Sequence, residues 1–299
     1  TPSSFTVNKD PTTCHSSGYK QGDGIVLVLP GMNNTSSTGF VRGLSILIDG
    51  LNASSFDDVH DPSSNNVSPK NLHVAVVDYR MTGHNLNLEV YGGRDVPVKP
   101  ATAEGWRDLV ELTSYIERNY PGCRIHYVGQ SLGGGMLLKY LGSSDPSSLV
   151  SISSACCVCP PVDYKSVSSH LSSGPISLAC NFIMTLPAKV NVLSCGRVRR
   201  KIPSLWDVVK SRTVEEFERA VLCPILGYST PEEYYEANSP LPTMSMISPP
   251  QSNVETFSDT VTFVEVGYGG HLGIWDWKGM RYGDKIAREW VRYWRDFEG

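Results

Sequence analysis

The chain has 299 residues, 40% of them hydrophobic and 19% charged, which is enough to bury one large core. A formal net charge of −4, with no run of five Lys or Arg residues, gives no electrostatic footprint for nucleic acid; the one basic knot, Arg197, Arg199, Arg200 and Lys201, reads as solvated surface. The 8 cysteines are unevenly placed, with Cys156, Cys157 and Cys159 crowded into one apolar stretch, and they read as reduced core thiols rather than a disulfide framework or a zinc site.

The first 22 residues are polar and Ser/Thr-rich and are expected to form an arm outside the core. The chain opens at Thr1 without a basic-then-apolar leader, so an N-terminal targeting or anchor segment removed from the natural protein is left open, with a cytoplasmic or peripheral-membrane setting favoured. Gly24 to Leu29 is a continuous apolar run stopped by Pro30-Gly31, the pattern of a buried strand ended by a turn. Residues 52–70, rich in Ser, Asn and Asp, predict a long surface loop. His73 to Tyr79 is a second, β-branched strand. From Ala101 to Tyr120, Trp106, Leu109, Val110, Thr113 and Ile116 recur at helical spacing, and Pro121-Gly122 ends the pattern. Arg124 to Gly129 follows as a strand, Met136 to Leu141 as the body of a helix, and Leu149 to Val158 as another strand. This alternation implies a parallel sheet with crossover helices.

Between Asp163 and about Pro250 the strand signal disappears. Thr213-Val214-Glu215-Glu216 and Thr230-Pro231-Glu232-Glu233 both match a capping box, so residues 164–250 are expected to form a helical insertion above the sheet. No stretch is an uninterrupted transmembrane run; the nearest, Pro175 to Leu193, is broken by Asn181, Pro187 and Lys189. Thr260 to Val266 restores a strand, and Ile286 to Phe297, with Trp290, Val291 and Trp294, predicts a closing amphipathic helix.

The chemistry concentrates at Gly129-Gln130-Ser131-Leu132-Gly133. A Gly-x-Ser-x-Gly run is common by chance, but this one stands where an apolar strand ends and a helix begins, which is the setting a nucleophile elbow requires. There Ser131 is the expected nucleophile, and the N–H of Leu132 at the helix start is placed for a developing oxyanion. A second donor is expected from the Met32 N–H, in the loop after the first strand. Of the seven histidines, His271 is the expected general base, since it follows Tyr268-Gly269-Gly270 after the last strand and lies C-terminal to the serine. The acid is open. Asp163, after the strand ending near Cys159, is the first candidate; Asp259 lies in the right sequence interval but before the final strand; a chain without the acid is the third possibility.

The Pro30-Gly31-Met32 turn with Phe40-Val41-Arg42-Gly43-Leu44, the Asp78 to Gly83 turn, Gly129 to Gly134 with Leu138 to Gly142, and Gly269-Gly270-His271-Leu272-Gly273 resemble the α/β-hydrolases related to bacterial YheT and the plant embryogenesis-associated proteins. Thr213 to Phe217, Gly227-Tyr228 and Glu233-Tyr234-Tyr235 resemble that family's cap. The resemblance implies an α/β-hydrolase fold over residues 23–299 as one domain with the cap inserted. It also implies hydrolysis of carboxylic or lipid esters through a Ser-Asp-His triad with no cofactor, and it supports Ser131, His271, Met32 and Leu132. It supplies no acid, because this chain is about a dozen residues short where the family carries a strand closing on Asp-Pro.

The expected activity is therefore an esterase or lipase acting on a small-molecule ester or lipid with an apolar acyl group, through an acyl-enzyme. Association with a membrane surface is compatible with such a substrate, and the sequence indicates no oligomeric state. Two alternatives stand beside it: a hydrolase-like pocket that binds an apolar ligand without turning it over, and an acyltransferase. Phe182, Ile183, Met184, Leu186, Trp206, Phe217, Tyr234 and Tyr235 could line an acyl pocket or simply be core.

Overall fold

The computed structural model describes residues 23–54, 71–79, 82, 100–247, 271–272 and 281–297. The polar arm expected at residues 1–22, residues 55–70 of the loop expected at 52–70, the strand expected at 260–266 and Asp259 all lie outside the described residues, whereas residues 52–54 of that loop are helical.

Strand β1 (Gly24–Leu29) is followed by helix α1 (Gly39–Asp49) and a short turn of helix, Leu51–Ser54, before β2 (Leu72–Val76). Helix α2 (Trp106–Asn119) leads to β3 (Arg124–Gln130), α3 (Leu132–Ser143) and β4 (Ile152–Val158). Then come α4 (Tyr164–Leu171), α5 (Pro175–Ser194), α6 (Leu205–Lys210), α7 (Pro231–Asn238) and, near the C-terminus, α8 (Tyr282–Phe297). From Tyr164 to Met246 the described residues form helices and turns and no strand.

The four described strands pair in parallel in the order β2-β1-β3-β4, with Gly24 opposite both Leu72 and Arg124. Alternation along β1 divides the core. Ile25, Leu27 and Leu29 pack on one face with Leu109, Ile116, Met136 and Leu137 of α2 and α3. Val26 and Val28 pack on the other with Val41, Leu44 and Ile48 of α1 and Ala287 and Val291 of α8. A sheet buried on both faces favours apolar positions, which is why β1 reads as a continuous apolar run, while the buried His126 of β3 and Ser154 of β4 satisfy each other. Parallel strands covered by helices on both sides also carry their C-terminal ends to one common edge, where loops can converge. Ser131 stands at that edge, at the end of β3.

Two expectations need correction. The stretch from Pro175, read as too interrupted for a membrane span, is one continuous helix of 20 residues, long and apolar enough to cross a membrane by length and composition. Proline removes its own N–H from the ladder and its ring crowds the carbonyl of Ile183, but Pro187 lies on the exposed side, where that carbonyl can tilt outward and be hydrated. The cysteines are also not uniformly core: among those described, all unbridged, Cys123, Cys195 and Cys223 are buried, but Cys180 is exposed on α5. The caps are built as pairs with a shift of one residue. Thr213 and Thr230 Oγ1 accept from the N–H of Glu216 and Glu233, whereas the glutamate carboxylates accept from the N–H of Arg212 and Ser229, each one residue before the cap.

Candidate active site

The turn from β3 into α3 puts Ser131 at φ 51°, ψ −119°, a left-handed conformation that L side chains rarely adopt. The strain persists because both sides of the turn are fixed: the Ser131 N–H donates to Val158 O at 2.9 Å, and Ser131 O accepts from the Gly135 N–H at 3.0 Å. The glycines make the turn possible. A Cβ on Gly129 would lie 2.7 Å from Gly134 Cα, and one on Gly133 would lie 2.7 Å from Pro30 O and inside contact distance of Leu29 O. The Gly-x-Ser-x-Gly-Gly spacing is thus a packing requirement, since backbone passes backbone with no room for a side chain.

The Ser131 Oγ and His271 Nε2 lie 2.8 Å apart. These two residues are 140 positions apart in sequence, and the structure brings them into hydrogen-bond contact. His271 keeps an exposed face, yet partial desolvation of the ring lowers its pKa below the ordinary imidazole value, which favours the neutral form. A neutral ring whose Nε2 accepts from the serine hydroxyl carries its proton on Nδ1. Leu272, next in the chain, also has positive φ, at 56°.

The loop after β1 is held from several sides. A Cβ on Gly31 would meet Ser131 Cβ at 3.2 Å, which sets this loop against the serine. Pro30 O accepts from the Tyr79 hydroxyl at 2.8 Å, and Asp78, just past β2, accepts from the Ser36 N–H and Oγ at 2.6 and 2.7 Å. Within the turn, Gly31 O and Met32 O accept from the backbone and side-chain N–H groups of Asn34. Among the described residues nothing accepts a hydrogen bond from the N–H of Met32 or of Leu132.

Asp163, the first candidate for the acid, stands at the start of a helix. It is the N-cap of α4: Oδ1 accepts from the Lys165 and Ser166 N–H groups at 3.0 and 3.3 Å, and Oδ2 accepts from Ser166 Oγ at 2.5 Å. These bonds, led by that from Ser166, lower its pKa. No hydrogen bond joins it to His271 among the described residues. The physical reason is local: the first turn of a helix has unsatisfied N–H groups, and an aspartate one residue ahead of it satisfies them.

Sequence reasoning missed a polar network behind the turn from β3 into α3. Gln130 Nε2 donates to Asp284 Oδ1 at 3.1 Å, Arg281 pairs with both oxygens of Asp284, and its guanidinium stacks 4.5 Å over Phe40 while donating to Phe40 O. Desolvation raises the Asp284 pKa, against the lowering effect of Arg281. This cluster ties the residue before Ser131 to α1 and to the start of α8. The three-residue spacing of Arg281 and Asp284 at the head of an amphipathic helix was its only sequence signal.

Strained serine at a strand-to-helix turn, parallel sheet beneath it, and a histidine reaching it from the chain's C-terminal part together decide the architecture. The fold is that of the α/β-hydrolases. No family model matches the chain. It is 22% identical to human Phospholipase ABHD3 over 316 residues, which cover 96% of this chain and 74% of that protein. It is 27% identical to mouse Monoacylglycerol lipase ABHD2 over 198 residues, covering 55% of this chain and 46% of that one. It is 23% identical to a Monoacylglycerol lipase of Saccharomyces cerevisiae over 215 residues, covering 62% and 44%. Its relatives are thus α/β-hydrolase lipases and phospholipases at low identity.

Proposed function

We propose that the chain is a serine hydrolase cleaving carboxylic esters with an apolar acyl group, in the line of hydrolases that its YheT-like and embryogenesis-associated motifs resemble. The observation that carries the reading is the 2.8 Å contact between Ser131 Oγ and His271 Nε2, with the serine at positive φ between two glycines that admit no side chain. In this mechanism the Ser131 hydroxyl gives its proton to His271 Nε2 as Oγ attacks the ester carbonyl. The N–H groups of Met32 and Leu132 receive the negative oxygen. The imidazolium returns the proton to the departing alkoxide, leaving an acyl group on Ser131. Water then attacks that acyl group by the same route, releasing the acid and restoring the serine.

The relatives named Phospholipase and Monoacylglycerol lipase point to lipid esters as the substrate class. The helices of residues 164–250 are read as the cap that encloses the acyl chain, and no cofactor takes part. A fluorophosphonate carrying a reporter tests the proposal: labelling at Ser131 supports it, and an unlabelled folded chain overturns it.

One observation favours a second reading. Among the described residues no carboxylate bonds to the free ring nitrogen of His271, and Asp163 is occupied as a cap. A serine-histidine pair without its acid loses about 10,000-fold in turnover. Such a chain would hold an apolar ligand rather than process it, and a lipid retained unhydrolysed over hours by both the native chain and Ser131→Ala would select this reading.

A further inference from the structure

Helix α5 is amphipathic with its polarity inverted. Asn181, Thr185 and Lys189, four residues apart on one stripe, face inward and are 2%, 1% and 8% exposed. Each is satisfied by the protein: Asn181 Oδ1 accepts from the Val214 N–H at 2.7 Å, Thr185 Oγ1 donates to Phe182 O at 2.7 Å, and Lys189 Nζ donates to Val209 O at 3.2 Å and to Ser211 O. The opposite stripe is apolar and stands in solvent. Ile176, Ile183 and Val190, seven residues apart, are 82%, 61% and 62% exposed, with Phe182 and Leu186 beside them. A water-soluble surface helix is ordinarily built the other way round.

Two exposed features that follow α5 in the chain match the character of this stripe. Trp206 of α6 is exposed, with the Lys210 ammonium 4.9 Å over its ring, and α6 is joined to the inward stripe of α5 through the Lys189 bond to Val209 O. Past the end of α5, Arg199, Arg200 and Lys201 are exposed, and among the described residues no carboxylate pairs with them. Helix α5 itself carries no acidic residue. Apolar side chains, an aromatic with a cation over it, and a basic cluster are the make-up of a helix that lies in the boundary between acyl chains and anionic headgroups. By length and composition α5 could cross a bilayer, but a crossing would break the inward bonds of Asn181 and Lys189.

We propose that the outward stripe of α5, with Trp206 and the Arg199-Arg200-Lys201 cluster, is a docking surface for an anionic lipid bilayer. The surface adjoins the site: Asn33, next to Met32, donates from Nδ2 to Met184 O of α5 at 3.1 Å. Docking there sets the loop of Met32 beside the membrane, so that substrate is taken from the bilayer surface. This deepens the reading above, resting on it for the chemistry but not for the binding.

The test separates the two by using Ser131→Ala, which needs no turnover to bind. Flotation with vesicles of phosphatidylcholine containing about one third phosphatidylserine is compared with flotation on phosphatidylcholine alone. The expected result is preferential binding to the anionic vesicles, weakened by salt and by Arg199→Glu with Arg200→Glu. Adding Ile176→Glu with Val190→Glu, both at exposed positions, lowers binding about 10-fold or more while the melting temperature is kept. The proposal is overturned if neither vesicle is bound, if the double glutamate variant binds unchanged, or if the stripe instead supports a concentration-dependent dimer that the variant dissolves. Vesicle binding without fluorophosphonate labelling of the native chain removes the hydrolase reading and leaves the docking surface standing; labelling without binding does the reverse.

Discussion

A methyl group placed on Gly133 tests the packing that holds the elbow. The new Cβ would lie 2.7 Å from Pro30 O and closer still to Leu29 O, both of them backbone atoms at the end of β1. An ordinary carbon-to-oxygen contact is about 3.3 Å, so the elbow and the Met32 loop must part by roughly 0.6 Å or more. Overpacking of this kind costs about 1–3 kcal/mol. In the proposed mechanism, a shift of about an ångström between Ser131 and the Met32 N–H would also lower turnover by about 100-fold. Gly43 in α1 is the control, because a Cβ there meets nothing within 4 Å. Gly43→Ala should raise stability by about 0.5–1 kcal/mol, the ordinary gain from removing a glycine from a helix interior. The assays are thermal unfolding and the second-order rate of fluorophosphonate labelling. Gly133→Ala should unfold earlier and label about 100-fold more slowly, with Gly43→Ala unaffected in labelling. A Gly133→Ala chain that melts and labels like the native one refutes the packing argument.

Asp163→Asn should keep both cap and activity, since asparagine caps as well as aspartate, while Asp163→Ala costs about 1 kcal/mol; a loss of activity by orders of magnitude in the Asn variant would make Asp163 the acid after all. The lowered pKa of His271 places the acid limb of kcat/KM below the free imidazole value of about 6.5. A limb above it would reveal a carboxylate on the ring and contradict an isolated pair. His126 of β3, buried with Nδ1 2.9 Å from Ser154 Oγ of β4, is desolvated so far that its pKa falls to about 4. The unfolded chain therefore takes up that proton first, and stability present above about pH 6.5 should fall by about 3 kcal/mol as pH drops to about 4. Chemical denaturation across that range checks it, with His126→Gln flattening the curve; an equal slope in the variant assigns the loss to other groups.

Much of the sheet was legible because buried parallel strands are largely apolar; Gly24–Leu29 carries that demand openly, and Arg124–Gln130 carries it through Ile125, Tyr127 and Val128, while its buried His126 and Gln130 are matched by Ser154 and Asp284. Ser131 was legible for a related reason: its glycines are forced by backbone contact rather than by chemistry, so the spacing survives as a pattern. Helix α5 was not legible as one element, since Pro187 and Lys189 look like interruptions until Pro187 is seen on the exposed side and Lys189 inside, bonded to carbonyls. Helix α1 carried too little signal beside its glycines, with its inward face made by Val41, Leu44 and Ile48 alone. The cap role of Asp163 was not legible because an aspartate after a strand can serve a histidine or cap the next helix, and its bonds from Lys165 and Ser166 appear only in the folded chain. The tie from Gln130 to Asp284 spans 154 residues and leaves no local trace.

The most direct test of the central claim is fluorophosphonate labelling of the folded chain followed by peptide mapping. The account predicts one modified residue, Ser131, with labelling abolished by Ser131→Ala and slowed by orders of magnitude by His271→Ala. A folded chain that stays unlabelled, or labelling that survives Ser131→Ala, would contradict it.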